Sequence, residues 1–136
     1  MLANLFQSTT IPVLQQVVQF TEARHNVLAG NIANMDTPGY QVRDLSAADF
    51  QTRLKKAIED RQQPDVFHSP GEPDAMRPTP LAEVAQSVPL TRHDQNNTSM
   101  EQQVAEMVKN QMQHNVALTI MNSQFRLLQT AINEKL

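Results

Sequence analysis

The feature that most constrains this chain is a heptad-like spacing of residues near its C-terminal end. From Met100 onward, one series of positions advances in alternating steps of four and three residues. The series is Met100, Val104, Met107, Gln111, His114, Leu118, Met121, Phe125, Leu128 and Ile132. Such spacing is typical of a helix that packs lengthwise along a second helix. No Gly or Pro follows Pro89, so the pattern predicts one helix over about 99–134, roughly 53 Å long at 1.5 Å per residue.

Capping residues mark the start of this C-terminal helix. Thr98 or Ser99 provides an N-cap hydroxyl, and Glu101 or Gln102 follows three residues later, as in a capping box. A helix of this length is too long for a chain of 136 residues unless it lies against a partner of similar length. The sequence therefore predicts a second long helix as its neighbour.

That second helix is predicted over about residues 11–34. Pro12 suits the first turn of a helix. Two neighbouring stripes follow at helical spacing: Leu14, Val18, Thr21, His25, Leu28 and Ile32 form one, and Val13, Val17, Phe20 and Val27 form the other. Two stripes indicate more than one packing neighbour. Gly30 is expected to weaken the last turn by up to about 1 kcal/mol relative to alanine, and to allow another helix to approach closely.

A turn is predicted immediately after this helix, in the segment Asn34-Met35-Asp36-Thr37-Pro38-Gly39-Tyr40. Pro followed by Gly is typical of a type II turn, and the residue before a proline avoids the helical conformation. Asn34 and Asp36 are suited to bind the last free backbone groups of the helix. Tyr40 is the only tyrosine in the chain and is expected to anchor the corner.

A short third helix is predicted after the corner. Val42 to Leu45 is expected to be short and extended. Ser46, with Asp49 three residues later, is expected to cap a helix that ends before Pro64. The packing face of this helix contains Phe50, Leu54, Ala57 and Ile58.

Residues 62–97 differ from the helical segments because six prolines interrupt them. Val66-Phe67 and Val84 to Leu90 are predicted to form short strands or a loose hairpin. Long stretches without helix or strand are unusual inside a compact domain. The segment is therefore interpreted as a variable outer part that projects from a helical stem.

These elements predict a mainly α fold. The long N- and C-terminal helices are expected to pair as a coiled-coil-like stem, with a short third helix and a Pro-rich, irregular or partly β middle segment. The predicted division is 1–40 for the first helix and corner, 41–97 for the short helix and variable segment, and 98–136 for the long C-terminal helix. We expect the stem helices to keep a lasting shape only when neighbouring subunits cover them.

Charge is concentrated in the middle of the chain. Twenty of the 25 charged residues lie between Asp36 and Lys109, and the net charge of -3 is too small to indicate a nucleic acid or lipid partner. Two interpretations of the uncharged ends remain open. Either the helices are solvated and use amide side chains, or the ends are surrounded by other protein, where unpaired charges are costly.

The sequence contains no recognisable catalytic or metal-binding pattern. Cysteine is absent, and the four histidines His25, His68, His93 and His114 lack metal-ligand spacing. His93-Asp94 with Ser87 or Ser99 is a set only by proximity in sequence, and no Gly-rich phosphate loop occurs. We therefore expect neither an enzyme nor a protein with a cofactor or metal. No apolar run reaches the length of a membrane span, and no secretory signal pattern is seen.

One stretch closely resembles the signature of bacterial flagellar rod, hook and axial proteins. It is Leu28-Ala29-Gly30-Asn31-Ile32-Ala33-Asn34-Met35-Asp36-Thr37-Pro38-Gly39-Tyr40, which matches the pattern Asn-Ile-Ala-Asn-x-x-Thr-Pro-Gly-Tyr. The continuation Gln41-Val42-Arg43-Asp44, Phe50, and the stretches Asn96-Asn97 to Glu101, Glu106-Met107 and Asn110-Gln111 resemble the basal-body rod proteins, most of all those of the proximal rod. The resemblance covers about residues 12–58 and 94–134.

The resemblance implies a structural subunit of the flagellar rod that polymerises through its terminal helices into a hollow axial structure. Such a structure transmits torque and serves as an export channel. The implied partners are further copies, other rod proteins, the membrane-embedded base ring and the export apparatus, and the implied location is the periplasm, after export without a cleaved signal. Open, heterologous contacts generate filaments of this kind. The alternative from the residues alone is a cytosolic helical adaptor or secretion chaperone that binds a partner helix.

Two sets of site residues follow from this interpretation. The predicted assembly interface is Leu14, Val17, Val18, Phe20, Leu28, Ile32, Met100, Val104, Met107, Leu118, Met121, Phe125, Leu128 and Ile132. The predicted corner, which carries the family motif, is Asn31, Asn34, Asp36, Thr37, Pro38, Gly39 and Tyr40.

Overall fold

The fold consists of long terminal helices that flank a shorter one. A computed structural model describes residues 9–62, 84–85, 90–91 and 99–133. In these ranges the elements are α1 (Ile11–Ala33), β1 (Arg43–Asp44), α2 (Ala47–Gln62), β2 (Leu90–Thr91) and α3 (Met100–Asn133). The prediction of a mainly helical chain with long N- and C-terminal helices is therefore confirmed.

The helix boundaries agree closely with the capping residues. Pro12 lies in the first turn of α1. The hydroxyl of Ser99 accepts the backbone N–H of Gln102 at 3.3 Å, so Ser99 caps α3. The hydroxyl of Ser46 accepts the backbone N–H of Asp49 at 3.2 Å at the start of α2. Each hydroxyl thus binds a backbone N–H group of the first helical turn, as an N-cap does.

The corner after α1 is the predicted turn. Gly39 has φ +77°, and the N–H of Tyr40 donates to the carbonyl oxygen of Thr37 at 3.1 Å. Pro38 and Gly39 are therefore the central residues of a type II turn, in which the second central position requires positive φ. The side-chain amide of Asn34 donates to the carbonyl oxygen of Gly30 at 2.8 Å and closes the last turn of α1.

The two glycines near this corner should respond oppositely to alanine. A Cβ added at either Gly30 or Gly39 meets no heavy atom of the described residues within 4 Å, so backbone preference alone decides the effect. Gly30→Ala should stabilise the chain by up to about 1 kcal/mol because the position is helical. Gly39→Ala should destabilise it by about 1–2 kcal/mol because of its positive φ. Urea unfolding of the two variants measures both signs, and equal effects would contradict the assigned turn.

The open space at Gly30 also corrects one expectation from the sequence. Gly30 was expected to allow another helix to approach closely, and no described atom lies near enough to need a glycine there.

A small hydrophobic core forms where α2 packs on α1. The rings of Phe20 and Phe50 stack with centroids 4.0 Å apart and planes at 7°. The buried residues of the cluster are Phe20, Leu45, Phe50, Ala57 and Val84, with Val17, Val27 and Leu54 packed against them. The second stripe of α1 thus faces α2, while its other stripe faces α3. This arrangement confirms that α1 has more than one packing neighbour.

The strands are short and pair across the middle segment. β1 and β2 are antiparallel, with Arg43 opposite Thr91 and Asp44 opposite Leu90. Val84 and Ala85, predicted as the start of a strand, form a turn instead, and Val84 is buried in the core. Of the predicted middle strands, Val66-Phe67 lies outside the described residues, as does most of the proline-rich segment. The extended conformation predicted around Arg43-Asp44 is present.

The packing of α3 on α1 is antiparallel and places a different face of α3 inward than predicted. The buried side chains of α3 are Gln103, Asn110 and Ala117, while Met107, His114, Met121 and Leu128 are half-buried. Met100, Val104, Gln111, Phe125 and Ile132 from the predicted series are exposed, and Leu118 is half-buried. The inward face repeats with the predicted four-three spacing, but it passes through Gln103, Asn110 and Ala117 where the prediction had Val104, Gln111 and Leu118. The reason is that α1 presents polar groups to α3, and those groups select polar partners.

Candidate assembly surface

The helices α1 and α3 meet along a polar seam, formed by Thr21, Arg24 and Asn31 of α1 with Gln103, Glu106, Asn110 and His114 of α3. Asn31, the first asparagine of the corner motif, lies at one end of this seam. Its side chain is 0% exposed. The amide donates to the carbonyl oxygen of Arg43 at 2.6 Å and to Oε1 of Gln103 at 3.1 Å. Its Oδ1 accepts the Tyr40 hydroxyl and the backbone N–H of Arg43, each at 3.1 Å. One buried side chain therefore joins α1, the corner, β1 and α3, with all four of its hydrogen-bonding positions used.

The substitution Asn31→Asp tests how much the hydrogen bonds of this side chain contribute to the free energy of unfolding. Asn31→Asp keeps the shape but removes both N–H donors, so the Arg43 carbonyl and Gln103 each lose a buried partner. We expect a loss of about 2–4 kcal/mol in the free energy of unfolding, measured in urea. Tyr40→Phe removes only one of the four bonds and should cost about 1 kcal/mol. Equal costs for the two variants would contradict the central position of Asn31 in these hydrogen bonds.

A buried ion pair lies next to this network. Arg24 donates through Nε and Nη2 to the two carboxylate oxygens of Asp44, at 2.9 and 3.0 Å. The same Nη2 donates to Oε2 of Glu106 at 2.9 Å. The Arg24 side chain is almost fully buried, whereas Glu106 is about one third exposed. The fork geometry of arginine therefore fixes β1 on one side of α1 and α3 on the other.

These contacts keep Arg24 charged. The hydrogen bonds that Arg24 donates to Asp44 raise the pKa of its guanidinium above the usual value, while burial acts to lower it. With the carboxylates ionised, the stability gained from this raised pKa is fully present at neutral pH and is lost as the pH rises above the usual arginine value. Arg24 is therefore a permanent cation at the junction of α1, β1 and α3.

Thr21 forms the third polar contact across the seam. The amide of Asn110 donates to the Thr21 carbonyl oxygen at 2.7 Å. The Thr21 hydroxyl lies 2.9 Å from the carbonyl oxygens of Val17 and Val18 and 2.9 Å from Nδ1 of His114. The hydroxyl and Nδ1 of His114 thus form a hydrogen bond between the two helices, and the histidine tautomer sets which of the two atoms donates.

The opposite side of α3 is apolar and uncovered by the described residues. At about 100° per residue, Val108 and Met112 point away from the side of the helix that holds Asn110. They are 61% and 66% exposed. We call this face the outer stripe; it consists of Val104, Val108, Met112, Val116 and Ile120. An open groove of about 510 Å³ runs along it.

The predicted interface residues are divided between buried and exposed positions. Phe20 and Leu28 are buried inside the chain; Leu14, Val17, Val18, Ile32, Met107, Leu118, Met121 and Leu128 are half-buried. Met100, Val104, Phe125 and Ile132 are exposed. Only the last group and the exposed parts of the half-buried side chains are available to another molecule. The role of all these residues in assembly stays a prediction.

The corner residues also divide by function within the fold. Asn31 and Tyr40 join the buried network, and Asn34 closes α1. Asp36, Thr37, Pro38 and Gly39 are exposed and form the turn itself. The buried hydrogen bonds of Asn31 and Tyr40 thus fix the corner to the rest of the chain, while the tip of the turn is exposed.

Sequence reasoning missed two groups of residues. The first is the polar seam, especially Gln103, Asn110 and the pair Arg24–Asp44. The second is the part of the outer stripe at Val108, Met112, Val116 and Ile120. One available signal was the run of Gln103, Asn110, Ala117 and Gln124, which repeats every seven residues in the same way as the apolar series.

Two classes of site are not found in the described residues. None of the helices in residues 9–62 and 99–133 combines the length and apolar character needed to cross a membrane. Within the same part of the chain, no three His, Cys, Asp or Glu side chains are placed to hold a metal ion. Ser99 caps α3, and its sequence neighbours His93 and Asp94 lie outside the described residues.

Comparison with known proteins identifies the class to which this helical stem belongs. The profile of the family described as "Flagella basal body rod protein" matches residues 21–41, which contain Arg24, Asn31 and the corner. "Flagellar basal body rod protein FlgB" of Escherichia coli K12 is 32% identical over 122 residues, covering 82% of this chain and 84% of the relative. The proteins of the same name from Proteus mirabilis HI4320 and Aquifex aeolicus are each 28% identical, over 88% and 85% of this chain and 90% and 84% of the relatives.

The chain belongs to the flagellar basal body rod protein family, and within it to the proximal rod proteins. Members of this family are structural subunits and not enzymes. Membership places the chain in the rod of the flagellar basal body and implies assembly with other rod proteins. The polar seam and the outer stripe are therefore features of a structural building block.

Proposed function

We propose that this chain polymerises through its terminal helices into a hollow axial structure, the rod, which transmits torque and serves as an export channel. In this proposal, residues 1–40 and 98–136 form the inner stem and residues 41–97 form the outer part. The outer stripe carries the proposal, because it is a long apolar helix face that the described residues leave exposed. Exposed apolar patches of this kind are typical of protein interaction sites.

The charge distribution supports burial of the outer stripe by other subunits. Between Gln111 and Asn133, Arg126 is the only charged residue of α3. Interface cores are depleted in charged side chains, because an unpaired charge removed from water costs several kcal/mol. Asn, Gln, Ser and Thr along the same helix can exchange hydrogen bonds with a neighbour at much lower cost.

The difference in helix length supports contact with more than one neighbour. α3 has 34 residues and α1 has 23, and the pairs Asn31–Gln103 and Thr21–Asn110 fix their antiparallel overlap. The last ten or so residues of α3 therefore extend beyond the first residue of α1. That extension contains the exposed side chains of Phe125, Leu127 and Ile132. Contacts that join one end of a subunit to a different part of the next produce an open filament.

The proposal also includes specific binding partners and an export route. The chain is proposed to contact further copies, other rod proteins, the membrane-embedded base ring and the export apparatus. It is proposed to reach the periplasm through the flagellar export route, without a cleaved signal peptide. The mature N-terminus, read by mass spectrometry of the chain from purified basal bodies, tests the last point. A shortened N-terminus would contradict it.

Localisation of the chain tests the proposed function. Cells whose own copy is deleted are supplied with the chain carrying an epitope tag in the outer part, and their basal bodies are purified. We expect the tagged chain to remain with the rod after detergent extraction and to restore swimming. Recovery of the chain only from the soluble fraction of motile cells would contradict the proposal.

The groove on the outer stripe also favours a second candidate function. A helical adaptor or secretion chaperone binds a partner helix in such a groove. A chaperone is expected to be a stable folded dimer before it meets its partner, whereas a rod subunit is not. Sedimentation and circular dichroism of the purified chain separate the two, because a stable dimer with full helix content favours the chaperone.

A further inference from the structure

The seam between α1 and α3 contains apolar contacts that distinguish poorly between helix registers. Met107, Met121 and Leu128 lie at multiples of seven residues along α3, with His114 between them. If α3 moved by one heptad, Leu128 would take the place of Met121, and Met121 would take the place of His114. Such a shift changes little in the apolar packing, because heptad positions are equivalent by construction.

The polar contacts differ because no heptad shift preserves them. A shift in one direction brings Gln113 to the place of Glu106 and Ala117 to the place of Asn110. Arg24 then meets an amide instead of a carboxylate, and the Thr21 carbonyl meets a methyl group. A shift in the other direction brings Ser99 opposite Arg24 and again removes the ion pair. Only the observed register joins Arg24 to Glu106 and Thr21 to Asn110.

The covalent connection to α3 is long compared with such a shift. Residues 92–99 separate β2 from α3. Eight residues can span about 26 Å when extended, at about 3.3 Å per residue. A heptad shift moves α3 by only about 10 Å, at 1.5 Å per residue. The connection is therefore longer, when extended, than the displacement that a heptad shift requires.

We infer that Gln103, Glu106 and Asn110 determine the register of α3 along α1. Asn110 is the most informative of the three: it is 0% exposed, and its Oδ1 has no hydrogen-bond partner among the described residues. A buried amide with one unsatisfied atom contributes little to the free energy of unfolding. It still disfavours any other register in which its N–H group also loses its hydrogen bond. This step rests on the proposed function: in the rod, the same residues fix the position of the outer stripe along the helix axis relative to α1.

Spin-label distances measure the register directly. The sequence has no cysteine, so Asn26→Cys on α1 and Asn122→Cys on α3 provide two unique and exposed label sites on the full chain. These sites are offset along the helix axis, so a heptad shift changes their separation by nearly 10 Å. Double electron–electron resonance of the otherwise unchanged chain should show a single distance.

Leucine substitutions in this labelled chain test the assignment. The triple variant Gln103→Leu, Glu106→Leu, Asn110→Leu should show a second distance, displaced by about 10 Å. Asn110→Leu alone should show the same second distance in a smaller fraction of molecules. The matched control, Met107→Leu with Met121→Leu, changes apolar residues of the same seam and should keep the single distance.

Every other outcome counts against the inference. A single unchanged distance in the triple variant would show that other contacts set the register. If circular dichroism shows that the triple variant has lost its helix content, the single variant Asn110→Leu is the test. An unchanged distance in that variant then contradicts the inference. Loss of helix content in Asn110→Leu would show that Asn110 stabilises the pair and does not select its register. The experiment uses the single chain, so its result is independent of whether the chain enters a rod.

Discussion

Replacement of Val108 and Val116 together by aspartate should abolish incorporation of this chain into the rod while leaving the chain folded. Both side chains lie on the outer stripe and are more than half exposed, so the free chain loses little internal packing among the described residues. In the assembled rod, each carboxylate would be removed from water without a partner, at a cost of several kcal/mol. At 1.4 kcal/mol per factor of ten, a cost of about 3 kcal/mol lowers incorporation roughly 100-fold.

The measurement is the amount of variant chain in purified basal bodies, together with swimming in soft agar. Gln113→Asp is the matched control, because Gln113 is exposed on the same helix but does not line the groove. The control should assemble nearly as well as the unchanged chain. Normal motility of the Val108→Asp, Val116→Asp variant would show that the outer stripe is not an assembly surface.

Loss of the Arg24 guanidinium should cause the largest loss of stability of any single charge in the described residues. In the Arg24→Met variant, the Asp44 carboxylate keeps its partly buried position but loses both bonds from Arg24. Removal of one partner from a buried pair costs about 3–5 kcal/mol. Because Glu106 is partly exposed and can return to water, we expect the lower end, about 3 kcal/mol. Urea unfolding followed by circular dichroism measures the change.

Two further variants separate charge from geometry. Arg24→Lys keeps the charge but not the fork that binds both oxygens of Asp44, so it should recover only part of the loss. Arg126→Met removes an exposed arginine from α3 and should change stability by less than about 0.5 kcal/mol. Equal effects of Arg24→Met and Arg126→Met would mean that the ion pair contributes nothing to holding α1, β1 and α3 together.

The elements with local signals were predictable from the sequence. Pro12, Ser46 and Ser99 mark helix starts through single-residue chemistry, and the Pro38-Gly39 pair specifies a turn that depends on few other residues. The family motif was recognised for the same reason, because its residues are adjacent in the chain. Local rules therefore gave the helices, their approximate ends and the corner.

The face of α3 that packs inward was not predictable from apolar spacing. The series through Val104 and Gln111 and the series through Gln103 and Asn110 share Met107, His114 and Met121 and have the same four-three steps. Burial of apolar area alone favours the more apolar series, which is why the spacing predicts that face. In this chain polar groups on α1 determine which face of α3 packs inward. That Asn31, Arg24 and Thr21 have partners on α3 is seen only when both helices are considered together.

The same finding refines the expectation that the stem helices need neighbours to keep their shape. The side-chain bonds described between α1 and α3 all fall between Gln103 and His114. We therefore expect the first half of α3 to hold its position in the single chain, and the second half to depend on other subunits. Amide exchange of the free chain should show stronger protection in the first half of α3 than in the second.

The central claim is that the outer stripe of α3 is covered by another axial subunit in the assembled rod. A photo-crosslinking amino acid placed at Met112, in cells that swim normally, tests it most directly. Mass spectrometry of crosslinked peptides from intact basal bodies should identify terminal-helix peptides of a neighbouring copy or of another rod protein. Crosslinks found only within the same chain, or none above the level of the same probe at Gln113, would contradict the claim.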